Sequence, residues 1–104
     1  MPQFIVIGHD GKDQGATERR KAARDAHLKV CAESVSSGNQ LIGAATLDEA
    51  GGMNGSVMVM DFPDRAALDE WLKREPYVSG KVWERVDVIP CKVPDTFAHC
   101  FPKK

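Results

Sequence analysis

Phe4-Ile5-Val6-Ile7-Gly8 is a short continuous apolar run that stops at a glycine. A run of that length without polar alternation reads as an inner strand covered on both faces. Working outward, His9 to Gly15 is polar with two glycines and reads as a loop, and Thr17 is placed to cap the helix that follows. Between Ala16 and Val35 the apolar positions fall at Ala23, Ala26, Val30, Cys31 and Val35, a spacing of three and four that predicts a long helix ending at Gly38-Asn39.

Beyond it, Gln40 to Thr46 reads as a second strand, Leu47 to Gly55 as a glycine-rich connection and Ser56 to Phe62 as a third strand. Asp64 caps a second helix whose apolar positions Ala67, Leu68, Trp71 and Leu72 recur at helical spacing until Pro76 stops it. The last strand runs from Val82 to Ile89. Strict alternation would point Val82, Glu84, Val86 and Val88 one way and Trp83, Arg85, Asp87 and Ile89 the other. Residues 93–104 carry Pro94 and Pro102 with Phe97 and Phe101 and read as an irregular tail able to pack across a neighbour.

The order strand, helix, strand, strand, helix, strand is the split βαβ pattern of a ferredoxin-like α+β fold: a four-stranded antiparallel sheet with two helices on one face. The other face then needs cover, and a second copy of the chain would supply it, giving a dimeric α/β barrel. A length of 104 residues predicts one domain, 1–104, and composition in the ordinary globular range argues against disorder. Fourteen basic residues against fifteen acidic ones leave a formal charge of -1, which points to neither nucleic acid nor an acidic membrane as partner. The cluster Arg19, Arg20, Lys21 and Arg24 reads as a solvated helix face. Cysteines at 31, 91 and 100 are odd in number and lack zinc-site spacing, so neither a disulfide framework nor a metal is expected, and no cofactor. Cys31, on the apolar stripe, reads as buried packing in preference to a catalytic nucleophile. With no apolar run near the ~20 residues that span a bilayer and no signal-peptide pattern at Met1-Pro2-Gln3-Phe4, a cytoplasmic protein is expected.

Chemistry is suggested by Arg24-Asp25-Ala26-His27-Leu28, which sets an imidazole inside the apolar stripe of the first helix. In a partly dry pocket beside a carboxylate, such a histidine can act as a general acid or base and is expected to titrate between about pH 5 and 8. The alternative is a core histidine satisfied by one hydrogen bond. Arg20, seven residues earlier and so facing roughly the same side, is placed to hold an anionic or phenolic substrate. A metal site built from His9, Asp10, His27 and His99 ranks last because no pair has helical i, i+4 spacing.

Several features, in register over about ninety residues, resemble the YCII-related proteins. They are Asp10 after the first strand, Arg20, Arg24 and His27-Leu28 on the helix, the glycine ending that helix, Gly55-Ser56-Val57, and Glu75-Pro76-Tyr77-Val78 leading into Gly80-Lys81-Val82-Trp83-Glu84. The resemblance implies a ferredoxin-like domain dimerising through its sheets, with a histidine and an aspartate as an active-site pair. One branch of the family resembles enzymes that remove chloride from a chlorinated hydroxyquinol. Where the family usually has Asp-Pro-Tyr or Asp-Pro-Phe, this chain has Glu75-Pro76-Tyr77, an acid on a longer stem. The extra methylene moves a carboxylate by roughly an ångström, enough to matter in catalysis.

Together these readings give a small-molecule enzyme of lyase or isomerase type. His27 is its acid or base, Asp10 or Glu75 its partner, and Arg20, Tyr77 and Trp83 its substrate contacts. The competing reading is a non-catalytic small-molecule binding or regulatory module that keeps the family pocket.

Overall fold

The computed structural model describes residues 2–100. Along the chain run β1 (Gln3–Asp10), α1 (Ala16–Ser37), β2 (Gln40–Leu47), β3 (Met53–Asp61), α2 (Arg65–Arg74), the short α3 (Pro76–Ser79) and β4 (Trp83–Cys91). A 3-10 helix, Asp95–Cys100, lies in the expected tail, where Phe97 is half exposed; Phe101 and Pro102 lie outside the described residues. The four strands form one antiparallel sheet in the order β2-β3-β1-β4, with β1 and β3 inside, which is the ferredoxin-like arrangement.

β1 alternates strictly between buried and half-buried residues. Phe4 and Val6 face the helices and pack with Met58 and Met60 of β3, Leu68 and Trp71 of α2, Tyr77 and Val82. Ile5 and Ile7 face the other way and are only half-buried, so β1 is an inner strand but its second face is not covered by the described residues. On that open face Ile42, Val59, Ile5 and Ile89 fall in one cross-strand row over all four strands.

Two local expectations are corrected. α1 begins at Ala16 with Gly15 at the cap position and no side-chain cap; Thr17 lies inside the helix. The loop is closed instead by Asp13, whose carboxylate accepts the Gly15 N–H and two hydrogen bonds from Arg19. At the other end, Gly38 adopts the left-handed conformation that halts the helix. On β4, His9 pairs with Arg85 but Asp10 pairs with Trp83, so Glu84 is an extra residue. Such a bulge breaks the alternation. It turns Trp83 to the helix side, under Gly8, where a side chain's Cβ would lie 2.3 Å from the indole ring.

The buried stripe of α1 also differs from the expected one. Ala26 and Val35 are exposed, while Ala16, Arg20 and Ser34 are buried, with Ala23, His27, Val30 and Cys31 half-buried beside them. Arg20 is therefore no part of a solvated face. Polar residues can occupy such a stripe only if the opposing layer supplies partners. Ser34 illustrates this, its hydroxyl donating to the Val30 carbonyl and accepting from the Trp71 indole N–H.

Candidate active site

The loop between α2 and α3 decides the position of the site's carboxylate. α2 ends at Arg74, Glu75 is extended, and Pro76 begins α3, where its missing N–H costs nothing. Glu75 Oε2 accepts the backbone N–H of Tyr77 at 3.1 Å and so caps α3. Its other oxygen, Oε1, lies 2.5 Å from His27 Nδ1 on α1. The longer stem thus spans both jobs, and the carboxylate is wholly buried. A buried carboxylate needs such a double engagement to offset its lost hydration.

Around the imidazole the remaining contacts are equally specific. Its ring stacks on Tyr77 with centroids 3.8 Å apart and planes 9° from parallel. Nε2 lies 3.5 Å from the Cys31 sulfur, one helical turn along α1. Burial pulls the imidazole pKa down, but the hydrogen bonds to Cys31 and Glu75 and the charges behind them prevail and push it up to about 9. The raised value favours the imidazolium at neutral pH and lies above the expected window of about pH 5 to 8. Burial likewise raises the Tyr77 phenol, keeping it protonated.

Asp10 does not reach His27. Its carboxylate accepts both 2.8 Å hydrogen bonds from Arg20 Nη1, and Arg20 Nη2 donates to the Gly55 carbonyl and the Ser56 hydroxyl at 3.2 Å. The Arg20 guanidinium in turn sits 4.8 Å over the Tyr77 ring. Two acid–base pairs, Asp10–Arg20 and Glu75–His27, thus meet on Tyr77. Trp83 backs this arrangement, edge-on to Tyr77 at 5.6 Å and to His27 at 6.2 Å, but does not line the cavity.

That cavity, about 400 Å³, opens between α1 and the edge strand β2. Arg20, Arg24, His27, Cys31 and Tyr77 form one wall, and Gln40, the small residues Gly43 to Ala45, Ser56 and Met58 the other. Cys31, Gln40 and Ser56 were not singled out by sequence as site residues. For Cys31 the signal was its position four residues after His27; Ser56 stood only within the Gly55-Ser56-Val57 match, and Gln40 carries no local signal. His9 is absent from this constellation, since it projects from the open face of the sheet and pairs with Asp87 at 2.9 Å. Among the described residues no three His, Cys, Asp or Glu side chains converge as a metal site, and the His99 side chain lies outside them.

Residues 3–92 match the model of the YCII-related domain. The chain belongs to the YCII-related family. It is 27% identical over 96 residues to the protein YciI of Escherichia coli, an alignment covering 86% of this chain and 95% of that one, and equally to YciI of Shigella flexneri. Among solved structures, the YCII-related chain superposes on the 5-chloro-2-hydroxyhydroquinone dehydrochlorinase of Burkholderia phenoliruptrix in complex with 2,5-dihydroxybenzoquinone. The TM-score is 0.77 at 18% identity, over 90% of this chain and 97% of that one. An antibiotic biosynthesis monooxygenase structure gives 0.57 at 15% identity, over 90% and 99% of the two chains. At such identities the likeness establishes the fold.

Proposed function

We propose that this cavity is the active site of a small-molecule enzyme of lyase or isomerase type, with His27 as proton donor and acceptor. The observation that carries the reading is the Glu75–His27 pair, which ties down Nδ1 and leaves Nε2 on the cavity side toward Cys31. An imidazole held at one nitrogen by a buried acid is oriented and charge-balanced for proton transfer at the other. With its pKa at about 9 the resting site is a general acid. Once His27 has delivered its proton it is the base that recovers one.

Arg20 and Arg24 make the wall cationic and favour a phenolate or carboxylate substrate, with Asp10 acting as the positioning residue that holds Arg20. The dehydrochlorinase that shares the fold was solved with a quinone in place, and a planar oxygenated ring is a ligand of suitable size for this cavity. We place the working enzyme in the cytoplasm as a homodimer joined through its open sheet faces. Cys31 and Cys91, free thiols, suit a reducing compartment.

The test is ligand binding followed by imidazole NMR. Titration of the protein with 2,5-dihydroxybenzoquinone and simple phenols should perturb the His27 ring resonances and move its pKa, and Glu75→Gln should abolish that response. A ligand that binds without altering the His27 titration would make the protein a binding module and overturn the catalytic reading.

A further inference from the structure

Cys31, His27 and Glu75 stand in the order nucleophile, base and orienting acid, with Sγ to Nε2 3.5 Å and Nδ1 to Oε1 2.5 Å. This is the relation by which a thiol is activated in cysteine enzymes. The sulfur is half-buried and lines the cavity, so it is reachable, unlike a thiol sealed in a core. Two residues lining the same cavity each bury an unpaired polar atom. Gln40, 2% exposed, has a buried Oε1 without a hydrogen-bond partner among the described residues, and Arg20, 8% exposed, has a buried Nε in the same condition.

We propose that Cys31 is a catalytic nucleophile that adds reversibly to conjugated enones bearing an anionic group. The inference rests on the His27–Glu75 pair of the preceding section and adds a covalent step to it.

The position of the sulfur selects the electrophile. Cys31 lies within α1, where backbone N–H groups are already committed to the helix. No such amide is left beside the sulfur to stabilise the oxyanion of acyl transfer, which forms one bond from the attacked carbon. Conjugate addition places the negative charge on an oxygen three bonds from that carbon, where the cationic wall of Arg20 and Arg24 and the imidazolium proton can receive it.

In the step itself Cys31 enters as the thiolate, its proton having left to solvent, beside the His27 imidazolium already present. The sulfur lone pair forms a C–S bond to the β carbon, the alkene π pair moves toward the carbonyl, and the carbonyl π pair goes to oxygen. His27 gives its proton to the enolate. Reversal expels the thiolate after rotation about what has become a single bond, so the net reaction is a cis–trans isomerisation with no oxidant or reductant. Around the pair, α1 contributes Arg20 and Arg24, the α2–α3 turn contributes Glu75, α3 contributes Tyr77, and β2, β3 and β4 present the neutral Gln40, Ser56 and Trp83.

The intact protein treated with iodoacetamide and mapped by peptide mass spectrometry gives the rate at each cysteine. Cys31 should react roughly tenfold faster than Cys91 at neutral pH. Glu75→Gln should slow Cys31 and leave Cys91 unchanged. With trans-4-oxopent-2-enoate as probe, an adduct should form on Cys31 and reverse on dialysis. A Cys31 rate no faster than that of Cys91 overturns the proposal without recourse to any variant. So does the absence of a Cys31 adduct. The Cys31→Ala chain keeps the two readings apart: if its His27 still titrates and responds to ligand, failure here leaves the acid–base function standing.

Discussion

The ring of His27 lies flat against that of Tyr77, 3.8 Å away, because one carboxylate holds both residues: Glu75 bonds the imidazole with Oε1 and the backbone N–H of Tyr77 with Oε2. Imidazole orientation and the start of α3 are therefore a single mechanical unit. Disturbing Glu75 should affect proton chemistry and local structure together.

The first consequence is electrostatic. In the native protein, ring NMR should show His27 titrating near the raised value of about 9. Glu75→Gln removes the charge but keeps an amide of similar shape, so burial should then dominate and the pKa should fall by roughly 1–3 units. A shift of no more than a few tenths would show that the acid does not govern the histidine.

Stability should carry the same signature. The folded pKa of about 9 exceeds the unfolded reference of 6.5, so the native state binds the His27 proton more tightly. The stabilisation is fully present below about pH 6.5 and is lost as pH rises through about 9. Urea unfolding of native protein and His27→Gln should thus show a gap that narrows between about pH 6 and pH 9.5; a constant gap would assign the effect to packing alone.

Arg20 and Asp10 form a buried pair with side chains 9% and 6% exposed. Asp10→Ala leaves the guanidinium charged and uncompensated, so it should cost roughly 3–5 kcal/mol by chemical denaturation. The double change Asp10→Leu with Arg20→Met should recover much of that loss while abolishing anionic ligand binding. This would separate the stability of the pair from its use.

The open sheet face provides the fourth prediction. Ile42 and Ile89, at the two ends of its apolar row, are 62% and 46% exposed, an arrangement expected of a covered surface. Sedimentation at micromolar concentration should report a dimer, and Ile5→Asp at the centre of the row should shift it to monomer with the fold intact. A native monomer would remove the sheet-face interface.

Much of this was readable from local pattern. The apolar run at β1, the helical spacing in α2, the left-handed stop at Gly38 and the Asp64 cap, whose carboxylate accepts the Ala67 N–H, are all encoded within a few residues. Element order follows from such signals, and with it the ferredoxin-like fold. His27 could be singled out because an imidazole among apolar positions is conspicuous.

What local pattern could not specify is partnership. Hydrophobic periodicity says which positions turn inward only while the inward residues are apolar; Arg20 and Ser34 are buried because Asp10 and Trp71 are there to meet them. Glu75 and His27 are 48 residues apart, and the bulge at Glu84 that turns Trp83 beneath Gly8 exists only in the pairing of β4 with β1. Cys31 read as packing because its neighbour's orientation is set from α3, across the fold. The sequence by itself determined the elements, their order and the candidate histidine, since those depend on short-range sterics and burial. Only the tertiary structure decided that Glu75 holds His27, that Asp10 serves Arg20, and that a thiol stands against the imidazole, because charge pairing depends on distances that the packing of the two layers sets.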